Sequence, residues 1–149
     1  MSKDLENILV VSIEQAVAAP YLSSRLADAG ARVIKVERHE GDFARKYDDF
    51  VNGDSAYFVW LNRGKESIAL NLKDKKDLQV LKNIIKKSDI LIQNLAPGAF
   101  ERLGLNLKEL RDKHPKLITC SITGFGEKGP YMKPVSYTHL TLPTRAQVE

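Results

Sequence analysis

The chain has 149 residues, 43% of them hydrophobic and 28% charged, with a net charge of +4. That balance excludes a disordered polymer and fits one soluble globular domain long enough to bury a core. The 23 basic residues are scattered among 19 acids, unlike the one-sided charge of a nucleic-acid binder, and no apolar run approaches the roughly 18 residues that span a bilayer. The start, Met1 to Asn7, has no apolar signal region, and the single Cys120 cannot form an internal disulfide. Both readings lead to the expectation of a reducing cytoplasm.

Ile8-Leu9-Val10-Val11 is a short, wholly apolar strand. The small-residue run Ala16 to Ala19 leads into Pro20, which suits the first turn of a helix because its missing N–H would have no partner there. That helix carries Leu22, Leu26 and Ala29 on one face, and Gly30 can end it in the left-handed conformation. Val33, Ile34 and Val36 make a second strand, so the first thirty-odd residues form a βαβ unit of the kind that builds parallel sheets. Glu37-Arg38 falls at the carboxyl end of that strand, where α/β folds hold ligands.

From His39 to Ser55 the apolar periodicity lapses, and the stretch reads as an irregular excursion with a functional role or mobility. Tyr57 to Leu61 is a bulky apolar block, and Asn62 to Lys65 turns the chain. Ser67 to Leu72 alternates as a strand does. Asp74 is placed to cap a helix over Lys75 to Lys87, with Leu78, Leu81, Ile84 and Ile85 along one face. Ile90-Leu91-Ile92 is a buried strand ending in Gln93-Asn94. Short helices follow over 97–104 and 107–114, and Leu117 to Ile122 is the last clear strand. Repeated alternation of strand and helix predicts an α/β fold, a Rossmann-like and mainly parallel sheet with flanking helices.

Beyond Val135 the pattern stops. Val135 to Thr144 reads as the translation of a transposon-end sequencing adaptor, so residues 135–149 are expected to be a non-native tail and residues 1–134 a truncated domain.

Six segments in order carry a family resemblance: EQAVAAP (Glu14 to Pro20), LADAGARVIKVER (Leu26 to Arg38), GDFAR (Gly41 to Arg45), FVWLNRGKESIALNLK (Phe58 to Lys73), SDILIQNLAPGAFERLG (Ser88 to Gly104) and SITGFGEKGPY (Ser121 to Tyr131). Together they resemble the N-terminal part of the class III CoA-transferases, typified by formyl-CoA and carnitine CoA-transferases. The resemblance implies an enzyme that moves coenzyme A between an acyl-CoA and a small carboxylic acid through an aspartyl-CoA thioester, a form of covalent catalysis. The family's aspartate falls after the glycine-rich segment, where no residue of this chain matches it. The chain itself is therefore expected to be inactive, with no catalytic residue to name. Coenzyme A is implied as a substrate, with no prosthetic group. An interlocked homodimer is implied for the full-length protein, and the chain alone, with its exposed sheet edge, is expected to be poorly soluble.

For the CoA site the resemblance implies Val17 and Ala18 in the first loop, Arg38 at the nucleotide, Leu70 and Lys73 near adenine and phosphates, Asn94 and Leu95 after the fourth strand, and Arg102 on the phosphate side. Ala19 stands where many members have glycine. Taken without the resemblance, Arg38, Lys73 and Arg102 are solvated cations and Leu70 and Leu95 core residues. His39 and His114 lack metal-ligand spacing, Cys120 reads as a small buried hydrophobe, and glycines 124, 126 and 129 do not form a dinucleotide fingerprint. Two other functions stay open: an acyl-CoA racemase of the same superfamily, working by proton transfer, and a non-catalytic CoA- or nucleotide-binding module.

Overall fold

The computed structural model describes residues 4–126. The stretch read as an adaptor-derived tail and the end of the glycine-rich segment lie outside them. Five strands, β1 (Leu9–Ile13), β2 (Arg32–Glu37), β3 (Lys65–Ala69), β4 (Ile90–Gln93) and β5 (Ile118–Ser121), form one sheet in the order β3-β2-β1-β4-β5. Every pairing is parallel, with Val10 opposite both Val33 and Ile90, and Ile90 opposite Ile118. The expected α/β architecture is therefore present, and its sheet is wholly parallel among the described residues.

Side-chain alternation along the central strands sends two cores to opposite faces. On one face Val10, Val33 and Ile92 pack with Ala19, Leu22 and Leu26 of helix α1 (Ala18–Asp28). On the other, Val11, Ile13, Val36 and Leu91 pack with Leu78, Leu81, Ile84 and Ile85 of α3 (Lys75–Ile85), and with Phe100 and Leu107 of the two short helices α4 (Ala99–Arg102) and α5 (Leu107–Lys113) and Leu103 and Leu105 between them. Asp74 caps α3 as expected, its carboxylate accepting from the amides of Lys76 and Asp77. Gly30 ends α1 at φ +100°, and the Ala31 amide reaches back to the Leu26 carbonyl.

Three elements differ most from the sequence reading. The first strand runs on through Ser12 and Ile13, because Ser12 is buried with a partner for its hydroxyl rather than turned to water. The third occupies Lys65–Ala69 instead of Ser67 to Leu72. It pairs with β2, and β2 has no strand residue to offer beyond Glu37. Leu70, Asn71 and Leu72 consequently leave the sheet. The apolar block after Tyr57 is a helix, α2 (Ala56–Asn62), begun by Ser55 at its N-cap and by Asp48, whose carboxylate accepts from the Ala56 amide at 2.7 Å. The excursion from His39 to Ser55 contains a 3-10 turn over Phe43–Lys46, capped by Asp42.

Candidate functional site

With β1 at the centre, the chain runs outward to β2 and β3 on one side and to β4 and β5 on the other. A cleft forms at such a reversal, outside the carboxyl ends of the strands. Here it encloses about 500 Å3, between the end of β1 and the residues after it (Ile13, Glu14, Gln15), the end of β2 and the segment leaving it (Val36 to Asp42), the segment leaving β3 (Leu70 to Lys73), and Leu95 and Leu103. Ile13, Val36 and Leu70 are buried and give it an apolar floor. Arg38 and Lys73 stand exposed at the rim, and among the described residues neither side chain has a hydrogen-bond or ion-pair partner. His39, also at the rim, lies 3.9 Å from Asp77.

Beneath the first loop lies a buried set of charges. Lys35, 1% exposed, points from the middle of β2 and places Nζ 2.8 Å from Asp42 Oδ2 and 3.7 Å from Glu14 Oε1. Lys65 donates to the same Glu14 oxygen at 2.7 Å and to the Pro20 carbonyl at 2.9 Å. The other Glu14 oxygen accepts from the hydroxyls of Ser12 and Ser23. Two cations thus meet two carboxylates, and every buried side-chain polar atom among the described residues has a partner. Such a set is stable only when fully satisfied, because an unpaired buried charge is costly. Burial draws Lys65 below the usual lysine range, against the pull of Glu14.

Glu37 extends the set. Its carboxylate accepts from the Asp42 amide, from Ser67 and from both Nε and Nη2 of Arg45. Burial works to push this carboxyl up, but those hydrogen bonds and the nearby Lys35 charge outweigh it and hold the carboxyl below its ordinary range. Arg45 in turn lies over the Phe58 ring, 3.8 Å from its centroid.

An apolar floor with unpaired cations at one rim suits a ligand that is part apolar and part phosphate. Residues 5–143 match the family described as CoA-transferase family III. The chain belongs to that family. It is 42% identical to an acetyl-CoA:oxalate CoA-transferase of Acetobacter aceti over 84% of its length, and 37% identical to a succinyl-CoA:glutarate CoA-transferase of Mus musculus over 91%. The matches cover 32% and 31% of those relatives, so the chain spans about a third of their length. A crystal structure of a CAIB/BAIF family protein from Brucella suis superposes with a TM-score of 0.83 at 34% identity, over 91% of this chain and 37% of that one.

Within this family III chain, the residues singled out in the sequence fall into three groups. Arg38, Leu70, Lys73 and Leu95 line the cleft together. Asn94 stands behind its wall and clamps Gln15 twice: its Oδ1 accepts from the Gln15 amide at 3.0 Å and its Nδ2 donates to the Gln15 carbonyl at 2.8 Å. Val17, at the N-cap of α1, and Ala18, exposed in its first turn, follow that wall without lining the cleft. Arg102 is also exposed and folds back over the turn at Gly98, with Nη1 3.5 Å from the Pro97 carbonyl.

The sequence reading passed over Glu14, Lys35, Asp42 and Leu103. A signal for one of them was available. Lys35 interrupts the run Val33-Ile34-Lys35-Val36, and a lysine inside a wholly apolar parallel strand has to be paired. No group of acids, histidines or cysteines among the described residues is placed to hold a metal ion.

Proposed function

We propose that this chain is the coenzyme A-holding part of an enzyme that transfers CoA from an acyl-CoA to a small carboxylic acid. The observation that carries the reading is the cleft at the strand ends of a family III chain, with Arg38 and Lys73 unpartnered among the described residues beside an apolar floor. In this reading the two cations meet the phosphates and Leu70 and Leu72 receive the adenine. The pantetheine arm runs past Leu95 to the Gln15–Ala18 loop at the end of β1. Arg102 closes on the phosphates by swinging off the Pro97 turn. The acceptor is a small dicarboxylate, a reading supported by the oxalate and glutarate named in the activities of the two relatives.

The chemistry follows from thioester reactivity. A carboxylate of the enzyme attacks the acyl-CoA carbonyl, the carbon–sulfur bond breaks, and CoA leaves as thiolate from a mixed anhydride. The thiolate then attacks the enzyme's carbonyl of that anhydride, giving an enzyme-bound CoA thioester and the free donor acid. The acceptor carboxylate takes CoA by the same two steps in reverse. The attacking aspartate belongs to the remaining two-thirds of the enzyme. The homodimer is likewise a property of the full-length protein, in a cytoplasmic setting. The row of exposed rings Tyr21, Trp60, Tyr57 and Tyr47 on α1, α2 and the adjoining loop is a face that a partner would cover.

Titration calorimetry with CoA tests the reading. The chain binds CoA, and Arg38→Ala weakens binding about tenfold or more, as expected for one charge-assisted phosphate contact. No binding by the unsubstituted chain overturns it. In the full-length enzyme, CoA exchange between succinyl-CoA and oxalate or glutarate is expected. Exchange of an acyl α-proton without CoA transfer would instead mean a racemase.

A further inference from the structure

Ala16 is the residue to explain. It is 2% exposed and adopts φ +63°, a left-handed conformation that costs a residue with a side chain on the order of 1–2 kcal/mol. Strain of this kind persists only where neighbours over-determine it. Here they do so from two sides. Asn94 grips the amide and carbonyl of Gln15 from the end of β4. Asp42 accepts the Ala16 amide at 3.1 Å from the segment leaving β2, while the same oxygen caps the 3-10 turn through Ala44 at 3.0 Å. The second Asp42 oxygen is held by Lys35 at 2.8 Å, and the Asp42 amide is tied to Glu37 at 2.9 Å.

We propose that Asp42 is a positioning residue for the thioester end of the ligand: through Ala16 it fixes the backbone of the first loop against the pantetheine arm. The inference rests on the proposed function. The cleft is lined from different strand ends. Arg38 and Lys73 stand where the chain leaves β2 and β3, whereas Gln15 and Ala16 follow β1. A ligand whose phosphates sit by the cations meets the first loop only with the arm that leads away from them. That arm carries two amide groups, and amides need backbone or side-chain partners when they enter an apolar cleft. A loop fixed in one conformation offers those partners without an ordering cost on binding. Lys35, paired with Asp42 from underneath, keeps that carboxylate oriented with its charge balanced.

The test compares two probes on the same chain: CoA, and adenosine 3′,5′-bisphosphate, which lacks the arm. Asp42→Ala is expected to weaken CoA about tenfold, the effect of losing one buried acceptor, and to leave the bisphosphate within about twofold. Amide exchange read by NMR should show Ala16 losing protection while Val10 and Val11 keep theirs. The double variant Lys35→Gln/Asp42→Asn replaces the ion pair by a neutral pair and keeps an acceptor facing Ala16. It should restore CoA affinity to within about threefold of the unsubstituted chain, and it serves if Asp42→Ala does not fold. Equal losses for both probes, no loss for either, or a folded double variant that still binds CoA weakly would overturn the positioning role. Failure of the unsubstituted chain to bind either probe would instead remove the functional reading, and the proposal with it.

Discussion

The two faces of this sheet are built from different physics. Under α3 the strands present Val11, Ile13, Val36 and Leu91 to an apolar helix face, and among the described residues no ion pair is buried with them. Under α1, β1 and β2 begin apolar, with Val10 and Val33, and turn polar and charged further on with Ser12 and Lys35, which Lys65 joins from the start of β3. Hydrocarbon packing tolerates modest rearrangement, whereas a buried ion set holds only if every member keeps its partner. The α3 face contributes stability. The α1 face spends some of that stability to fix the loop beside the cleft.

The largest expected effect comes from breaking the ionic face. Lys35→Met leaves Asp42 without its cation and should destabilise the chain by about 3–5 kcal/mol in urea unfolding. Replacing both partners, Lys35→Met with Asp42→Leu, should cost less than Lys35→Met alone, because no uncompensated charge remains. Leu81→Ala on the other face should cost about 2–5 kcal/mol through the cavity it leaves. The two faces separate in their second readout. The Leu81 variant should retain CoA affinity under conditions where it is folded, and both Lys35 variants should lose it. Equal retention of CoA binding by all three would erase the distinction between the faces.

What the sequence reveals follows the same division. Helix α3 announced itself by spacing, with Leu78, Leu81, Ile84 and Ile85 behind the Asp74 cap, and β4, which serves both faces, by the apolar run Ile90 to Ile92. The parallel order follows from strand–helix alternation. Arg38 was marked by its place at the end of the second strand, whereas Leu70, Lys73 and Leu95 became candidates only because six ordered segments matched a family, since nothing local distinguishes an exposed Lys73 from any solvated lysine. The ionic set stayed hidden because its members are dispersed at positions 14, 35, 42 and 65 and meet only through the sheet. The α2 helix was obscured by its own composition. Tyr57, Phe58, Val59 and Trp60 favour strands intrinsically, and the capping by Ser55 and Asp48 overrides them.

Acid should expose the ionic face at smaller amplitude. The Glu37 carboxyl is held below its ordinary range in the folded chain. Its contribution to stability is therefore complete above the unfolded carboxylate range and is lost as pH falls through the folded value. Urea midpoints measured from about pH 7 down to about pH 3 should show Glu37→Gln less stable than the parent at the upper end, with the gap narrowing toward the lower end as the parent's carboxyl takes up a proton. A gap that stays constant across the range would mean that Glu37 acts by shape and hydrogen bonding alone, without its charge.

The smallest effect belongs to an ion pair on the same strand as Lys35. Arg32, at the start of β2, makes a two-point contact with Glu66 of β3, Nε to Oε1 at 2.7 Å and Nη2 to Oε2 at 2.9 Å. By distance and fork geometry it matches or exceeds the Lys35–Asp42 contact at 2.8 Å. Its side chains, however, are 63% and 56% exposed, and the Glu66 hydrogen bond, then its charge, only raises the already high Arg32 value. Water and salt solvate both partners when they part, so nothing buried is stranded. Glu66→Gln should leave the urea midpoint indistinguishable from the parent in about 0.5 M salt, where the Debye length is only a few ångströms. The same measurement on Lys35→Met should show nearly its full loss, since salt does not reach the buried pair. A salt-resistant loss at Glu66 as large as that at Lys35 would show that contact geometry, rather than burial, decides which ions hold the sheet.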